Sequence, residues 1–390
     1  VHHGILFQPD EEAGDTSFSH DLVHIHPGRM MLKPGILKRS VFLEPGQHYD
    51  ERNYRKSLRK LTGLGIYQFV NIRFSEVEEG DRSELDGHIH LADARRRRIQ
   101  AEVQVVSKSN DFAGPGLMIS YFNRNLNRNA TSFRLDVNSG FETQISRNVS
   151  GINSFEVGTH AELAIPRILA PGVMQQRFRD NPGTPRTRIR TGYNFFTRSN
   201  LFTLHSVNAS YGYQWDQSDI LSHDLKIFSL DYLRLSNVSP SLDGSRLLRR
   251  NYPEQFISMV RYGFTLNDLV HPRRINHYLY MSAEAAGNLL SAADALLGEG
   301  PPPQEGPSAV LGVPYTQYAR ILSDYRAYFN PSSAHKLVGR FFFGLGLPYG
   351  NSEYMPYKKQ FYSGGTTSLR GFPSRSVGPG SDDPPDSLDA

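Results

Sequence analysis

The chain has no cysteine among its 390 residues. Disulfide bonds, thiolate metal sites and cysteine nucleophiles are therefore excluded within this sequence. It also lacks an apolar run of roughly 18 residues, the length that predicts a transmembrane helix. Hydrophobic residues make up only 38% of the composition. A soluble protein fits these values, and so does a transmembrane β-barrel, whose half-polar strands give a weak hydropathy signal.

Tryptophan is nearly absent, but the other aromatic residues are abundant. One Trp stands beside 23 Phe and 20 Tyr, a balance that suits aromatic girdles at membrane interfaces. The net charge of +4 is small for this length and most arginines are dispersed, so nucleic-acid binding is not favoured. No serine-hydrolase, metalloprotease, Walker or dinucleotide motif is present, so the sequence predicts neither an enzyme nor a cofactor.

The first quarter of the chain predicts one small α+β domain, over residues 21–95, while residues 1–20 lack periodicity and stay unassigned. A strand is predicted over 22–26 and a short helix near 36–42. Asp50 is typical of an N-cap, and the helix that follows is predicted to end at Gly63 and Gly65. Its apolar face comes from Tyr54, Leu58 and Leu61, spaced at i, i+4 and i+7. Two strands are then predicted, over 66–76 and 85–92.

From Ile99 onward apolar residues recur with period two, which predicts β-strands over residues 96–390. Several runs reach about 10 residues, the length that a tilted transmembrane strand needs. The strand near 223–237 alternates poorly, since Asp231 falls on the face of Leu225 and Ile227. Eleven strands are predicted, beginning near residues 99, 116, 131, 153, 185, 202, 223, 255, 276, 315 and 336.

A glycine-rich segment with one arginine follows the last of these strands. It reads SGGTTSLRGF over residues 363–372, and small residues of this kind allow a close approach of the backbone. The segment resembles the RGF/RGY loop of the BamA/TamA family of outer-membrane assembly barrels, also called bacterial surface antigens. Residues 377–380 (VGPG) resemble the continuation found in Bacteroidota members. The motif residues are Gly364, Gly365, Arg370, Gly371 and Phe372.

A second resemblance lies upstream, in the run LEPGQHYDERNYRKSLRKLTGLGIYQFVNIRF over residues 43–74. It is similar to a POTRA domain, which in this family lies in the periplasm and contacts substrate strands by edge pairing. The two resemblances imply a mainly β fold: a transmembrane antiparallel β-barrel with about 11 of its 16 strands present, preceded by one POTRA domain. About five strands are then expected beyond Ala390, and Arg370 is expected to pair with an acid on one of them.

The family resemblance also implies a function, which is the insertion of proteins into the bacterial outer membrane without nucleotide hydrolysis. The implied partners are unfolded outer-membrane proteins, outer-membrane lipid, and periplasmic chaperones or accessory lipoproteins, but no nucleic acid. A single POTRA-like unit favours the TamA-like branch over BamA itself. In this family the first barrel strand borders a weakly paired seam that templates incoming strands. Here that strand would supply Gln100, Ala101, Glu102, Val103, Gln104, Val105 and Val106.

Two other functions remain open at this point. A two-partner-type secretion pore shares POTRA domains and an RGF-like loop. A passive porin or adhesin barrel is the third alternative, although neither feature is expected in it.

Some titratable clusters have simpler explanations than catalysis or metal binding. The acids Glu102, Glu156, Glu162 and Glu284 are predicted to face the lumen and to balance arginines there. The histidines His20, His24, His26, His88 and His90 are predicted to face solvent on the small domain, and no metal site is assigned. Arg95–Arg98 fit either a solvated linker or a contact with phosphate headgroups at the membrane surface.

Overall fold

The computed structural model describes most of the chain. It covers residues 5–8, 15–19, 22–26, 31–79, 82–107, 112–145, 153–170, 178, 181–240, 254–271, 273–297, 307–332, 334–365, 368–372, 375 and 377. None of the helices within these ranges is long and apolar enough to cross a membrane.

The first part of the chain forms a small domain in which two helices accompany a five-stranded sheet. The elements are β1 (Ile5–Gln8), β2 (Asp15–Ser19), β3 (Leu22–His26), α1 (Pro34–Ser40), α2 (Glu51–Gly63), β4 (Tyr67–Glu79) and β5 (Arg82–Asp93). The strand order is β2-β3-β1-β5-β4. Strand β1 is parallel to both of its neighbours, β3 and β5, whereas the pairs β2–β3 and β4–β5 are antiparallel.

Helix α2 begins and ends where the sequence predicts. The Asp50 carboxylate accepts a hydrogen bond of 2.8 Å from the backbone N–H of Arg52, which satisfies one of the free donors of the first turn. After the helix, Gly65 has φ +70°, in the left-handed region that favours glycine. Leu61 on the inner face is fully buried and packs with Leu37 of α1.

The N-terminal residues, which the sequence leaves unassigned, contain the two strands β1 and β2. Strands of four and five residues are too short to show a convincing period of two, so their sequence carries little signal. The core of the small domain is made by Leu32, Leu37, Val41, Leu61, Leu64, Ile66, Ile72 and Ile89, with Ala130 from a later turn.

The rest of the described chain forms one antiparallel sheet of eleven strands, each paired with its neighbours along the chain. The predicted starts agree closely, and the largest differences are at Phe112 and Tyr318, predicted near 116 and 315. The strands are β6 (Arg97–Ser107), β7 (Phe112–Asn123), β8 (Ser132–Gln144), β9 (Asn153–Ile165), β10 (Arg186–Arg198), β11 (Phe202–Asp216), β12 (Leu221–Ser236), β13 (Gln255–Asn267), β14 (Ile275–Ala286), β17 (Tyr318–Ser332) and β18 (His335–Pro348).

The two faces of this sheet have different chemistry. Directly paired residues project to the same face, and one row of such pairs is almost wholly apolar. The opposite face carries charge, as in the row that joins Arg134, Glu162 and Arg190. The apolar row runs through Ala101, Ile119, Val137, Thr159, Tyr193, Val207, Tyr232 and Phe256.

A β-bulge explains the irregular alternation of β12. Tyr211 pairs with Phe228 and the next residue, Gly212, pairs with Lys226, so Ile227 is an extra residue on β12. An extra residue shifts the alternation by one. Asp231 therefore projects to the charged face, although simple parity places it with Leu225.

The small domain and the connection between β14 and β17 lie at opposite ends of the sheet. The small domain contacts the turns that follow β7, β9 and β11. At the other end, α3 (Asn288–Leu297) and a hairpin of β15 (Ala309–Val310) and β16 (Val313–Pro314) connect β14 to β17. The short connection 199–201 between β10 and β11 also lies at this end. Within the described residues β6 and β18 are the sheet edges and do not pair with each other.

Candidate functional site

Strand β6, predicted to border the seam, forms one edge of the eleven-stranded sheet. In the described part of the chain it pairs only with β7, so its other edge has no strand beside it. Ile99 and Val105 on its apolar face are 73% and 81% exposed. The strand therefore presents both an open backbone edge and an uncovered apolar face, which is the usual template for an added strand. Of the predicted residues, Ala101, Val103 and Val105 share the apolar face. The other face carries Gln100, Glu102, Gln104 and Val106.

The neighbouring strand β7 is weakened near the far end of β6, a feature that the sequence reasoning missed. Pro115 lies opposite Val105 and has no backbone N–H, so β7 lacks one donor there. Gly114 lies so close to the Phe141 carbonyl oxygen that a Cβ atom would come within 1.8 Å of it. The tripeptide Gly-Pro-Gly inside a strand pattern is the signal that could have revealed this irregular pairing.

The segment after β18 folds back onto the charged face of the sheet. The Lys359 ammonium donates a 3.0 Å hydrogen bond to the Glu284 carboxylate on β14, whose side chain is only 3% exposed. The same carboxylate accepts a bond of 3.3 Å from Arg320 on β17. The segment is thus attached to the charged face of the sheet, here also called the inner face, by a buried ion cluster.

An aromatic contact adds to this attachment. The Phe361 ring lies 4.3 Å from the Arg320 guanidinium, a cation–π distance. It also covers Gly344 so closely that a Cβ atom there would come within 2.5 Å of the ring. Met355 covers Gly346 in the same way, at 2.9 Å. The two glycines of β18 therefore form a groove that admits the returning segment.

The motif residues form a tight turn beyond this attachment. Gly364, Gly365 and Gly371 all have positive φ values, of +98°, +90° and +90°, which explains why glycine stands at these positions. The backbone N–H of Gly365 donates to the Phe372 carbonyl at 2.8 Å. Arg370 and Phe372 are both exposed. No ion pair of Arg370 is present among the described residues, and its pairing with an acid on a later strand stays a prediction.

A different arginine, Arg375, holds the base of the turn. Its guanidinium donates to the Tyr357 carbonyl at 2.7 Å and to the Gln360 amide oxygen at 3.1 Å. It also lies 3.6 Å from the Tyr357 ring and 4.5 Å from the Tyr362 ring. Sequence reasoning missed this residue, because its partners lie 13 to 18 positions away in an irregular segment.

The inner face carries the predicted balance of acids and arginines only in part. Glu162 and Glu284 each bind two cations, as expected for acids that neutralise a polar lumen. The structure shows no ion pair of Glu102 or Glu156 among the described residues, and it uses acids that the sequence reasoning left out. The pairs are Arg188–Glu162, Arg190–Glu162, Arg261–Asp224, Arg320–Glu284, Arg326–Asp324, Arg340–Asp324 and Arg134–Asp136.

Helix α2 joins the small domain to the turns of the sheet. Arg59 makes a two-point contact with the Asp219 carboxylate, one arm of which measures 2.9 Å. The hydrogen bond from Arg59 lowers the pKa of Asp219 below the usual carboxyl value. The buried Lys60 ammonium donates to the Gly183 carbonyl at 2.7 Å. These contacts orient the small domain beneath the sheet.

The candidate metal ligands of the small domain belong to separate strands. His88 lies 3.1 Å from the Ser75 hydroxyl on β4, and both His88 and His90 belong to β5. His24 and His26 belong to β3, and His20 lies outside the described residues. No group of three or more potential ligands occurs within the described ranges.

The arginine run at the start of β6 is held partly by the neighbouring turn. Arg96 donates to the Asn125 carbonyl at 2.9 Å. Arg98 donates to the Gln100 amide oxygen at 2.8 Å and stays exposed. Arg95 and Arg97 are both exposed. The run therefore combines one structural contact with exposed cations near the first turn of the sheet.

Solved structures that match this chain include two CdiB proteins and one BamA protein. CdiB from Acinetobacter baumannii matches with a TM-score of 0.51 and 10% identity, over 95% of this chain and 56% of that chain. CdiB from Escherichia coli gives 0.48 and 14%, over 87% and 56%. BamA from Haemophilus ducreyi lacking POTRA domains 1–3 gives 0.21 and 10%, over 86% and 89%. The chain thus spans about half the length of the two CdiB structures.

The comparison with family models agrees with the sheet described above. The model of the Omp85 superfamily domain matches residues 116–388, which is more than half of the chain. The match extends from β7 through the segment after β18, including the RGF motif. This chain belongs to the Omp85 superfamily, and its membership indicates a location in the bacterial outer membrane.

Proposed function

We propose that this chain belongs to a BamA/TamA-type barrel that inserts other proteins into the outer membrane. The observation that carries the proposal is β6, which joins the small domain directly and offers an open backbone edge with an exposed apolar face. An incoming strand would pair its backbone with this edge and leave its own apolar face in lipid. Hydrogen bonding and burial of apolar surface then supply the driving force, without nucleotide hydrolysis or any enzymatic step.

The small domain fits the role of a POTRA domain in the periplasm. Its contacts with the turns after β7, β9 and β11 place it at the end of the sheet where β6 begins. Its own edge strand β4 could pair with an extended substrate before that substrate reaches the barrel. Unfolded outer-membrane proteins and the outer-membrane lipid are the proposed partners, with periplasmic chaperones or accessory lipoproteins, and no nucleic acid.

One finer assignment belongs to the same proposal. The RGF loop and the VGPG sequence that follows support a Bacteroidota-like origin.

A two-partner-type secretion pore is the second candidate function. The observation that favours it is the segment 349–365, which occupies the charged face of the sheet through Lys359 and Phe361. A charged lumen blocked by a removable segment is the arrangement that a gated polypeptide pore needs. In this case withdrawal of the segment would open the path, and the edge of β6 would stay paired.

Depletion of the full-length protein distinguishes these functions through the outer-membrane proteome. A general insertase predicts an early loss of many other barrels, and a TamA-like role predicts loss of a few surface proteins. A secretion pore predicts loss of one exported partner encoded beside the gene while barrels stay constant. If neither barrels nor exported proteins change, the assembly proposal is wrong and a passive channel becomes the better account.

A further inference from the structure

The connection between β14 and β17 covers part of the apolar outer face of the sheet. Phe256 and Tyr232 belong to the apolar row, and their rings lie 6.0 Å apart. Phe256 is nevertheless buried, because Val313 and Tyr315 pack against it. The Thr316 N–H donates to the Phe256 carbonyl at 2.9 Å, which fixes the connection beside β13.

The contact reaches the apolar face of the strands at the level where β14 ends. Leu230, which packs against the same cluster, belongs to β12 and pairs with Ser258 of β13. The Ser258 carbonyl accepts a hydrogen bond from the N–H of Gly287, the first residue after β14. The connection therefore packs on the apolar face of β12 and β13 beyond the end of β14, and this is the face that meets lipid in an outer-membrane barrel.

Helix α3 of this connection has an exposed face without any charge. Leu290 turns inward to the cluster, whereas Leu289 and Leu296 on another side are 63% and 87% exposed. Ala292 and Ala295 are exposed between them. The only charged residue of the helix, Asp294, accepts a 3.0 Å hydrogen bond from the Tyr315 hydroxyl.

We propose that α3 is an interfacial helix whose exposed face binds the acyl chains of the outer leaflet. The exposed apolar face of the helix continues the apolar surface of β12 and β13. This face has no charged group that could form an ion pair with a protein partner. The helix has ten residues, which is about 15 Å of helix and too short to span a bilayer. It lies along the membrane surface and fixes the height of this side of the barrel in the outer leaflet.

Depth-dependent fluorescence quenching tests the proposal on the full-length protein. Because the chain has no cysteine, Leu296→Cys introduces a thiol for the environment-sensitive NBD label, after any cysteine elsewhere in the natural protein has been replaced. The matched control is Glu353→Cys, an exposed residue of the loop after β18 at the same end of the sheet. The protein is reconstituted in phosphatidylethanolamine/phosphatidylglycerol vesicles with or without lipid that carries a shallow doxyl quencher.

The doxyl lipid should quench the label at position 296 several-fold more strongly than the label at position 353, and aqueous iodide should do the reverse. Leu289→Cys should behave like Leu296→Cys, so one misfolded variant does not decide the result. Equal quenching of both positions by iodide would place α3 in water and overturn the proposal. Protection of position 296 from both quenchers would also overturn it and would assign the face to a protein contact.

Discussion

Replacement of Lys359 by alanine should release the inward segment from the wall of the sheet. Lys359 and Glu284 form an ion pair of 3.0 Å in which the side chains are only 16% and 3% exposed. Removal of one partner of a buried pair costs about 3–5 kcal/mol. Glu284 keeps Arg320 as a second partner in Lys359→Ala, so we expect a smaller cost of about 2 kcal/mol. That value corresponds to a roughly 30-fold increase in the released population.

Hydrogen exchange of the full-length protein in nanodiscs measures this release. Amide protection across residues 355–365 should fall by up to about 30-fold in Lys359→Ala, since exchange reports the free energy of local opening. The neighbouring Lys358 is exposed, so Lys358→Ala is a matched control that should leave protection unchanged. Equal protection in the wild type and in Lys359→Ala would refute the assignment of the ion cluster as the anchor.

Three further predictions concern two other contacts of the same segment and the contact between α2 and the turn after β11. Gly344→Ala should displace the Phe361 ring and reduce protection of the same segment, whereas Gly339→Ala, with open space around it, should not. Arg375→Gln should lower the protection of the Gly365 amide, because the base of the turn loses its guanidinium contacts. The ion pair of Asp219 with Arg59 stabilises the docking of α2 fully above the usual carboxyl pKa. This stabilisation is lost as the pH falls through the lowered pKa of Asp219, where the carboxylate becomes protonated. The yield of crosslinks between α2 and the 217–220 turn should therefore fall only in strong acid. The decrease should be modest because the pair is exposed. Asp219→Asn should remove this pH dependence.

The strands of the large sheet were predictable because each has a buried or lipid-facing side with period two. The starts of β9, β11 and β13 fall at the predicted residues, Asn153, Phe202 and Gln255. The position of the bulge in β12 was not predictable. The sequence shows that the alternation is broken by Asp231, but it does not show which residue is the extra one. Strands β1 and β2 were missed because four or five residues contain too few repeats.

The position of β6 and the backbone conformation of the motif glycines were predictable, whereas the contacts that anchor the segment were not. Positive φ at Gly364, Gly365 and Gly371 follows from the residue type. The ion cluster joins Lys359 to a glutamate 75 positions away. The period of two predicts which face of a strand a side chain occupies, but it does not predict which distant residue contacts that side chain. The role of Arg375 depends on the path of an irregular segment, for which the sequence has no repeating pattern.

If β6 offers its free edge to an incoming strand, site-specific photocrosslinking in cells should capture that strand. A photoreactive residue is placed at Val103 of β6 in the full-length protein while a substrate barrel is arrested during assembly. Ile119 of β7 is the control, because it shares the apolar face but its strand is paired on both sides. We expect substrate adducts from position 103 and far fewer from position 119. Equal yields at the two positions, or adducts from 103 only within the protein itself, would show that β6 does not receive the substrate strand.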